Sequence, residues 1–372
     1  MFRFLHSADL HLGKPFGRFS EELRHRLRLV REGIVLRLAA AARAGGAGHI
    51  LLAGDTFDAE TPEPRLIHHT LGAMAAEGGL TWVILPGNHD SLSATELWRR
   101  MAAKAPANVM LAIAPVPIAV GESAVILPAP CSARRPGYDT TESLSAPTAT
   151  NVIRIGLAHG AITDFAGAGS EDGNPAVIPP DRAGRSGLDY LALGDWHGQM
   201  SVGSRTWYAG TPEPDSFRHS VPGQALLVTL AGAGALPAVA PVSTGALAWQ
   251  SLGFDVLPGE DAWARLAAVL PAERARTLLQ LRLTGRLTLG ARQALSGALD
   301  QVIPDFLHVE VADHLRTEVT AGDLDLIDRA GALRQAAEVL AAEAADVSGT
   351  EATRAIAAAA LARLFELAGQ DA

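Results

Sequence analysis

Six short apolar runs constrain the fold of this 372-residue chain more than any other feature of its sequence. Each run is rich in Leu, Ile or Val and ends near Gly, Pro or a polar residue, a pattern typical of strands buried on both faces. The runs are FRFLHS, HILLAG, TWVILPG, SAVILPA, VIRIGLAHG and DYLALGD. Because a helical pattern over 21–43 separates the first two, we predict a layered α/β domain in which helices pack on a sheet core.

The order of the patterns changes beyond residue 245. A helix, a strand, a second helix and a second strand follow one another there, and this αβαβ order predicts a small α/β domain at 246–321. The last segment, 322–372, is Ala-rich and predicted to be helical. Its apolar residues step by four and three along one stripe, formed by Leu326, Ala330, Leu333, Ala337 and Leu340. The stripe suits docking onto a partner and packing within the chain equally well.

Composition excludes several classes of protein. No apolar stretch reaches the roughly 18 residues that a membrane span requires, so we expect no membrane contact. The first residues, MFRFLHSADL, lack a long apolar signal core, and we therefore expect a cytoplasmic protein. The single cysteine, Cys131, excludes an internal disulfide and a Cys-based zinc site. A formal net charge of −9 argues against a protein that binds DNA by charge alone.

Polar residues follow five of the predicted strands directly. In open α/β sheets ligands bind beyond the carboxyl ends of the strands, so we expect these side chains to meet. The five clusters are Asp9 and His11; Asp55 and Asp58; Asn88, His89 and Asp90; His159; and Asp195 and His197. A lone histidine or aspartate after a strand is more often a cap or a solvated group. Five clusters of oxygen and imidazole donors are not well explained in that way.

This mixture of donors suits divalent metal ions. Carboxylate, amide oxygen and imidazole are ligands that Mn²⁺, Zn²⁺ and Fe²⁺ accept, and the lack of cysteine ligands disfavours a structural zinc site. One carboxylate can bridge two ions, and such a pair can clamp the attacking and leaving oxygens of a phosphoryl displacement. A dinuclear site is therefore the economical prediction. On the residues alone, His89 is as well explained as a helix cap as by a catalytic role.

The motifs taken together resemble one known family. Over about residues 1–245 the chain resembles the calcineurin-like metallophosphoesterase superfamily, whose motifs run D-x-H, G-D-x-x-D, G-N-H-[DE], H and G-H-x-H. Every block but the last matches. The spellings FLHSADLHLG, GDTFD and PGNHD resemble its SbcD/YhaO-like DNA repair exonuclease branch, and YAGTPEPDSF is similar to the segment that closes that domain. The resemblance implies a layered metallophosphoesterase β-sandwich flanked by helices at 1–245. The αβαβ segment is similar only in layout to the small capping domain of that branch.

The resemblance also implies a function. It points to a divalent-metal-dependent phosphodiesterase, most simply a DNA exonuclease or endonuclease that works in DNA repair with an SMC-like, SbcC-type ATPase. Two divalent ions are implied, Mn²⁺ first and Mg²⁺, Fe²⁺ or Zn²⁺ as alternatives. One ion takes Asp9, His11, Asp55 and His197, and the other takes Asp55, Asn88, His159 and residue 195. His89 is the implied general acid, with its imidazole held by Asp58 or Asp90.

Position 195 departs from the family, whose members usually carry histidine where this chain has Asp195. The carboxylate can ligate the second ion, or pair with a basic group beside a weak or absent ion, or mark a decayed motif. Ligation is favoured, because Asp is a good ligand for Mn²⁺ or Mg²⁺ and because Gly194, His197 and Gly198 are intact.

Two further functions stay open. The same metal chemistry serves an enzyme that hydrolyses a small phosphodiester or phosphomonoester, because the metal motifs are common to both. The chain can also be a non-catalytic scaffold subunit of a nuclease–ATPase complex, although the intact His89 and six unaltered ligand positions argue against that. Homodimerisation is a further option.

Overall fold

The computed structural model describes residues 1–163, 177–218, 222–257, 259–318 and 331–370. The chain folds into two compact units, Met1–Ala248 and Trp249–Ala372. The division into domains at 1–245, 246–321 and 322–372 stays a prediction, and its second boundary falls outside the described residues.

Two six-stranded sheets form the first unit. Its strands are β1 (Phe2–Ser7), β2 (His49–Leu52), β3 (Thr81–Ile84), β4 (Val109–Leu111), β5 (Ile118–Val120), β6 (Ala124–Ala129), β7 (Ile153–His159), β8 (Tyr190–Gly194), β9 (Met200–Ser201), β10 (Thr206–Tyr208), β11 (Gln224–Leu230) and β12 (Ala238–Ser243). Its helices are α1 (Glu21–Glu32), α2 (Ile34–Ala44), α3 (Pro64–Ala76), α4 (Thr95–Lys104) and α5 (Arg182–Arg185), with a 3₁₀ helix at Thr140–Ser145.

The sheets have strand orders β12-β11-β1-β2-β3-β4 and β5-β6-β7-β8-β10-β9. In the first sheet β1 to β4 run parallel, and in the second β6, β7, β8 and β10 do. Antiparallel strands lie at one edge of the first sheet, where β11 and β12 follow β1, and at both edges of the second sheet, where β5 and β9 lie. Each sheet therefore brings the carboxyl ends of several neighbouring strands to one edge, where ligands of parallel sheets bind.

Alternating residues of the strands face two different cores. Leu5 packs with the helices on the outer face of the first sheet, whereas its neighbour Phe4 packs between the sheets with Tyr190. In β2, Leu52 likewise packs in the outer core, and Leu51 packs between the sheets. The period of two along a strand thus builds a sandwich with helices outside it. The predicted fold class, a layered α/β sandwich flanked by helices, is confirmed.

The helical pattern over 21–43 forms two helices where the sequence indicated one. Gly33 ends α1, with its amide donating to the carbonyls of Leu29 and Arg31, and its ψ of −4° departs from the helical value before α2 begins. Ser20 caps the start of α1, its hydroxyl accepting from the amide of Leu23.

The second unit contains a small sheet of order β13-β14-β15, with β16 paired to β14. Its elements are β13 (Ala248–Val256), α6 (Ala262–Val269), β14 (Thr277–Thr288), α7 (Leu289–Val302), β15 (His308–Asp313), β16 (Arg316–Glu318), α8 (Ala332–Ala345) and α9 (Glu351–Gln370), with 3₁₀ helices at Arg274–Arg276 and Ile303–Asp305. The helices and strands from α6 to β15 follow the αβαβ order that the sequence indicated.

The apolar stripe of the carboxyl-terminal segment packs within its own unit. Ala337 is fully buried with Leu289 and Leu361, and Leu340 packs against the same cluster. Leu333 is 49% exposed. Two residues of the stripe, Leu326 and Ala330, lie outside the described residues. For Ala337 and Leu340 the intramolecular alternative is therefore the correct one. None of the described helices has both the length and the apolarity that a membrane crossing requires.

Candidate metal centre

The polar clusters lie together because the strands before them end in register. Ser7 pairs with Leu52, Leu52 pairs with Ile84, and His159 pairs with Gly194. The loops that follow β1 and β2 also bond to each other, since the amide of Asp9 donates to the Gly54 carbonyl at 3.1 Å. The residues after β1, β2 and β3 thus start from neighbouring positions at one edge of the first sheet, and those after β7 and β8 from neighbouring positions at one edge of the second.

Four of the site residues have a left-handed backbone. Asp9, His11, Asp55 and Asp195 have φ values of 55°, 45°, 54° and 99°. Non-glycine residues adopt this region rarely, and they do so most often at functional sites where the surrounding structure holds them. The tight turns after β1, β2 and β8 place these side chains at the sheet edge.

Asp9, His11 and His197 form one group of potential ligands, whose donor atoms lie within 4.8 Å of one another. The Nε2 atoms of His11 and His197 are 3.2 Å apart. Asp9 is fully buried, and burial, together with Asp55 and Asp195, raises its pKa well above the usual range although His159 opposes the shift. A buried carboxylate beside two imidazoles is a donor set that a divalent cation accepts.

Asp9, Asp55 and His159 form a second group, with donor atoms again within 4.8 Å. His159 Nδ1 donates to the Ala53 carbonyl at 2.8 Å, because a carbonyl can only accept. Nε2 of the same ring lies 3.1 Å from Asn88 Oδ1 and 3.5 Å from Asp55 Oδ2. The bond to Ala53 therefore orients Nε2 toward oxygen donors, as ligand histidines are oriented in metal sites.

Asp55 lies between the two groups. Its Oδ2 is 3.9 Å from His11 Nε2 and 3.5 Å from His159 Nε2. Burial opposes ionisation, but His159 and His11 outweigh it and lower the pKa of Asp55 below its usual range. An ionised carboxylate in this position can reach both sides of the site.

Asp195 lies against both the second group and Asp9. Its Oδ1 is 3.8 Å from His159 Nε2, and its amide donates to Asp9 Oδ1 at 3.2 Å. The residue is 6% exposed. Its carboxylate therefore joins Asn88 and Asp55 as a third oxygen donor around His159.

Glycines before the motif residues permit the close approach of these loops. A Cβ added at Gly87 would lie 2.1 Å from Asp55 Oδ1, and one at Gly54 would lie 2.2 Å from His159 Nδ1. Only glycine fits at such distances. The glycines of G-D-x-x-D and G-N-H-D are thus explained by the contacts between the loops.

His89 lines the site, and a main-chain oxygen orients it. Its Nδ1 donates to the backbone carbonyl of Asp58 at 2.8 Å, and its amide donates to Asp55 Oδ1 at 2.9 Å. The sequence suggested a carboxylate, from Asp58 or Asp90, in this orienting contact. The Asp58 carboxylate instead lies 3.3 Å from His11 Nδ1. His11, Asp58 and His89 form a third group of potential ligands within 4.8 Å.

The Asp90 carboxylate connects two of the loops. It accepts from the Gly87 amide at 2.7 Å and the Phe57 amide at 3.0 Å. Burial, and next the charge of Asp55, raise the pKa of Asp90 to about 7. These two bonds tie the loop after β3 to the loop after β2, because each loop contributes one of the amides.

The histidine on the first strand plays no part in the site. His6 is fully buried, its Nδ1 is 3.0 Å from the Tyr190 hydroxyl, and burial lowers its pKa to about 3. His6 therefore has a packing role on β1.

Five of the seven candidate ligands line a cavity of about 70 Å³. The cavity is lined by His11, Lys14, Asp55, Asn88, His89, Asp195 and His197. Sequence reasoning missed Lys14, whose ammonium donates to Asp215 Oδ2 at 2.7 Å. The signal that could have found it is its position directly after the motif D-L-H-L-G.

The residues at this site fit two divalent cations. The structure places three carboxylates, one amide and three imidazoles around one another, six of them with at most 6% of their surface exposed and His197 with 8%. Burial alone would lower the pKa of His159, yet Asp55 and Asp9 raise it well above the usual range. The carboxylates thus require positive charge at this point, which bound cations provide.

Comparison with known proteins shows a similarity to metal-dependent phosphoesterases. The sequence model of the calcineurin-like phosphoesterase family matches residues 2–199. The SbcD component of the nuclease SbcCD from Rhodobacter capsulatus is 38% identical over 92 residues, which are 24% of this chain and 21% of that protein. The match thus spans about a fifth of the relative. One crystal structure aligns with 65% of this chain and 98% of its own at 10% identity, and its TM-score of 0.39 is too low to carry an argument.

Proposed function

The chain belongs to the calcineurin-like phosphoesterase family, and from this premise we propose that it is a divalent-metal-dependent phosphodiesterase that cleaves DNA. The observation that carries the proposal is the convergence of seven buried donor residues, five of which line one cavity together with His89. The DNA substrate is supported by the motifs of the SbcD branch and by the similarity to the SbcD component of the nuclease SbcCD. Since that similarity covers only part of the relative, the substrate belongs to the proposal.

The proposed ligands divide between two sides of the cavity. Asp9, His11 and His197 would hold one divalent cation, and Asn88, His159 and Asp195 would hold the other. Asp55 is shared, because its Oδ2 lies between His11 and His159. Two divalent cations at such a site stabilise charge on phosphoryl oxygens and lower the pKa of water. Mn²⁺ or Mg²⁺ suits the side with Asp195 best, because that side holds oxygen donors from three residues.

His89 is the proposed general acid. The Asp58 carbonyl fixes the tautomer by accepting from Nδ1, so Nε2 is the nitrogen through which the ring exchanges a proton with a substrate. A proton delivered from Nε2 to the leaving alkoxide neutralises the charge that develops on that oxygen. The Asp58 side chain has a different role in this assignment, because its carboxylate lies beside His11.

An SMC-like ATPase is the proposed partner. The chain carries a formal net charge of −9, which opposes binding to a polyanion by charge alone. A partner that supplies most of the contacts to the DNA backbone resolves this conflict. A homodimer of the chain remains compatible with the proposal. The same net charge favours the second candidate, an enzyme that hydrolyses small phosphodiesters or phosphomonoesters.

The test compares DNA with small esters on the purified full chain. We expect Mn²⁺-dependent cleavage of end-labelled linear DNA with a kcat/KM above that for bis(4-nitrophenyl) phosphate and 4-nitrophenyl phosphate. Asp55→Asn should abolish cleavage, since its carboxylate is shared, while Asp300→Asn on the exposed face of α7 should leave it unchanged. Cleavage of the small esters alone, with and without a candidate ATPase, would favour the second candidate. Near-normal turnover of Asp55→Asn would remove the dinuclear mechanism.

A further inference from the structure

Lys14 is fixed against the candidate metal centre by a tight turn. Its amide donates to the carbonyl of His11 at 3.2 Å. Gly13 makes this turn possible with a φ of 91°, and a Cβ at Gly13 would lie 2.9 Å from Leu66 Cδ2. The backbone of Lys14 therefore has a defined position relative to His11, and its side chain lines the same cavity.

A buried carboxylate holds the ammonium group of Lys14. Asp215 accepts from Nζ at 2.7 Å, and its side chain is 2% exposed against 29% for that of Lys14. The Arg31 guanidinium lies 3.7 Å from the same Asp215 oxygen and is itself 2% exposed. Two cations thus flank one carboxylate, and the three groups carry a net positive charge. Lys14 is the member of the three that lines the cavity.

The use of lysine here is unusual for this chain. Lys14 and Lys104 are its only lysines, although its Lys and Arg residues together number 31. Lysine presents a compact charge with three donors, whereas the guanidinium of arginine is a planar fork. Asp215 accepts one of the three N–H bonds of Lys14. The other two can be directed to oxygens of an anion in the cavity.

The charged residues that line the cavity suggest a function for the Lys14 ammonium. Asp55 and Asp195 line the same cavity, and the proposed cations offset their negative charge, so the Lys14 ammonium adds a positive charge that is available to a phosphoryl group. Of the seven described residues that line it, Lys14 is the only lysine or arginine. We propose that Lys14 binds a non-bridging oxygen of the phosphoryl group that is cleaved, and that Asp215, supported by Arg31, holds the ammonium in place. This inference rests on the proposed phosphodiesterase function and assigns a substrate contact within it.

The first test needs no variant of the site. Selective ¹³C labelling of lysine gives signals from only Lys14 and Lys104, and Lys104→Gln assigns them. Inorganic phosphate is titrated into the Mg²⁺-loaded full chain. The Lys14 signals should shift and saturate, whereas those of Lys104, exposed at the end of α4, should stay in place. If phosphate inhibits turnover competitively while the Lys14 signals do not move, the inference is wrong.

The second test measures binding through variants. Lys14→Gln should raise the inhibition constant of phosphate and the KM for bis(4-nitrophenyl) phosphate about 10- to 100-fold, the range for a charged hydrogen bond. Metal content should equal that of the parent, because Lys14 is no ligand. Lys14→Arg should recover part of the loss, since it keeps the charge. Lys104→Gln should equal the parent in all three measurements.

The failure of this inference and that of the proposed function can be told apart. If the parent chain cleaves no phosphodiester with any divalent ion, the proposed function fails whatever Lys14 does. If the parent cleaves and Lys14→Gln keeps the phosphate inhibition constant and KM within about 2-fold, the role of Lys14 fails alone. Should Lys14→Gln not fold, the phosphate titration of the parent decides the question.

Discussion

Replacing Gly87 by alanine tests whether the contact between two loops builds the metal centre. The added Cβ would lie 2.1 Å from Asp55 Oδ1 and 2.8 Å from Asp55 Cγ. A carbon and an oxygen in contact stay about 3.3 Å apart, so the carboxylate or the loop must move by about 1 Å. Neither moves freely, because the Gly87 amide donates to Asp90 Oδ1 at 2.7 Å and the His89 amide to Asp55 Oδ1 at 2.9 Å.

We expect that displacement to reduce the rate of cleavage more than the stability of the fold. Asp55 is the proposed shared ligand, and a misplacement of about 1 Å at a reacting centre costs about 10²-fold in rate. We therefore expect Gly87→Ala to lower kcat/KM for a phosphodiester by about 100-fold or more. The same change should weaken metal binding, because the shift moves a ligand of both proposed ions.

The assay pairs steady-state kinetics with metal content measured by elemental analysis. Gly72→Ala is the matched control, since it lies within α3 and an added Cβ there meets no heavy atom within 4 Å. We expect this control to keep full activity and to be more stable by about 0.5–1 kcal/mol, because alanine favours helix over glycine. If Gly87→Ala retains the metal content and the kcat/KM of the parent, the contact with Asp55 does not set the geometry of the site.

Three further predictions follow from individual side chains. His89→Gln should keep the metal content but lower cleavage about 10²-fold or more, as for loss of a general acid, and a fall in metal content would reassign His89 as a ligand. Asp195→Ala should lose one metal selectively, and Asp195→His should restore two ions with a preference shifted toward Zn²⁺; two ions in Asp195→Ala at unchanged affinity would refute ligation. Burial lowers the pKa of His6 from 6.5 to about 3, so the neutral folded form loses stability as pH falls from about 6.5 toward 3. Over this pH range the free energy of unfolding of the parent, measured by urea denaturation, should fall by up to about 5 kcal/mol more than that of His6→Gln. An equal dependence of the unfolding free energy on pH in the two proteins would contradict this prediction.

The layered fold could be predicted from the sequence because its strands are short, apolar and separated by glycine or proline. The two cores could not be, since a continuous apolar run such as HILLAG does not show which residues face which layer. Leu51 and Leu52 pack in different cores although the sequence gives them the same character. The break at Gly33 was also missed, because one glycine within a helical pattern is often tolerated.

That the predicted residues lie close together could be foreseen from the sequence, whereas their individual contacts could not. The clusters after the strands identified the donors that the structure brings together. The orientation of His89 was not predictable, because the partner of its Nδ1 is a main-chain carbonyl and any residue type at position 58 supplies one. Lys14 was missed for a different reason, since its partner Asp215 lies 201 positions away along the chain.

Anomalous X-ray scattering from crystals of the Mn²⁺-loaded full chain tests the central claim most directly. We predict two manganese peaks, one against each side of the cavity, with the Asp55 carboxylate bonded to both. The ligands of the first are Asp9, His11 and His197, and those of the second are Asn88, His159 and Asp195. A single peak, or a peak within the third group of His11, Asp58 and His89 in place of either, would contradict the dinuclear assignment.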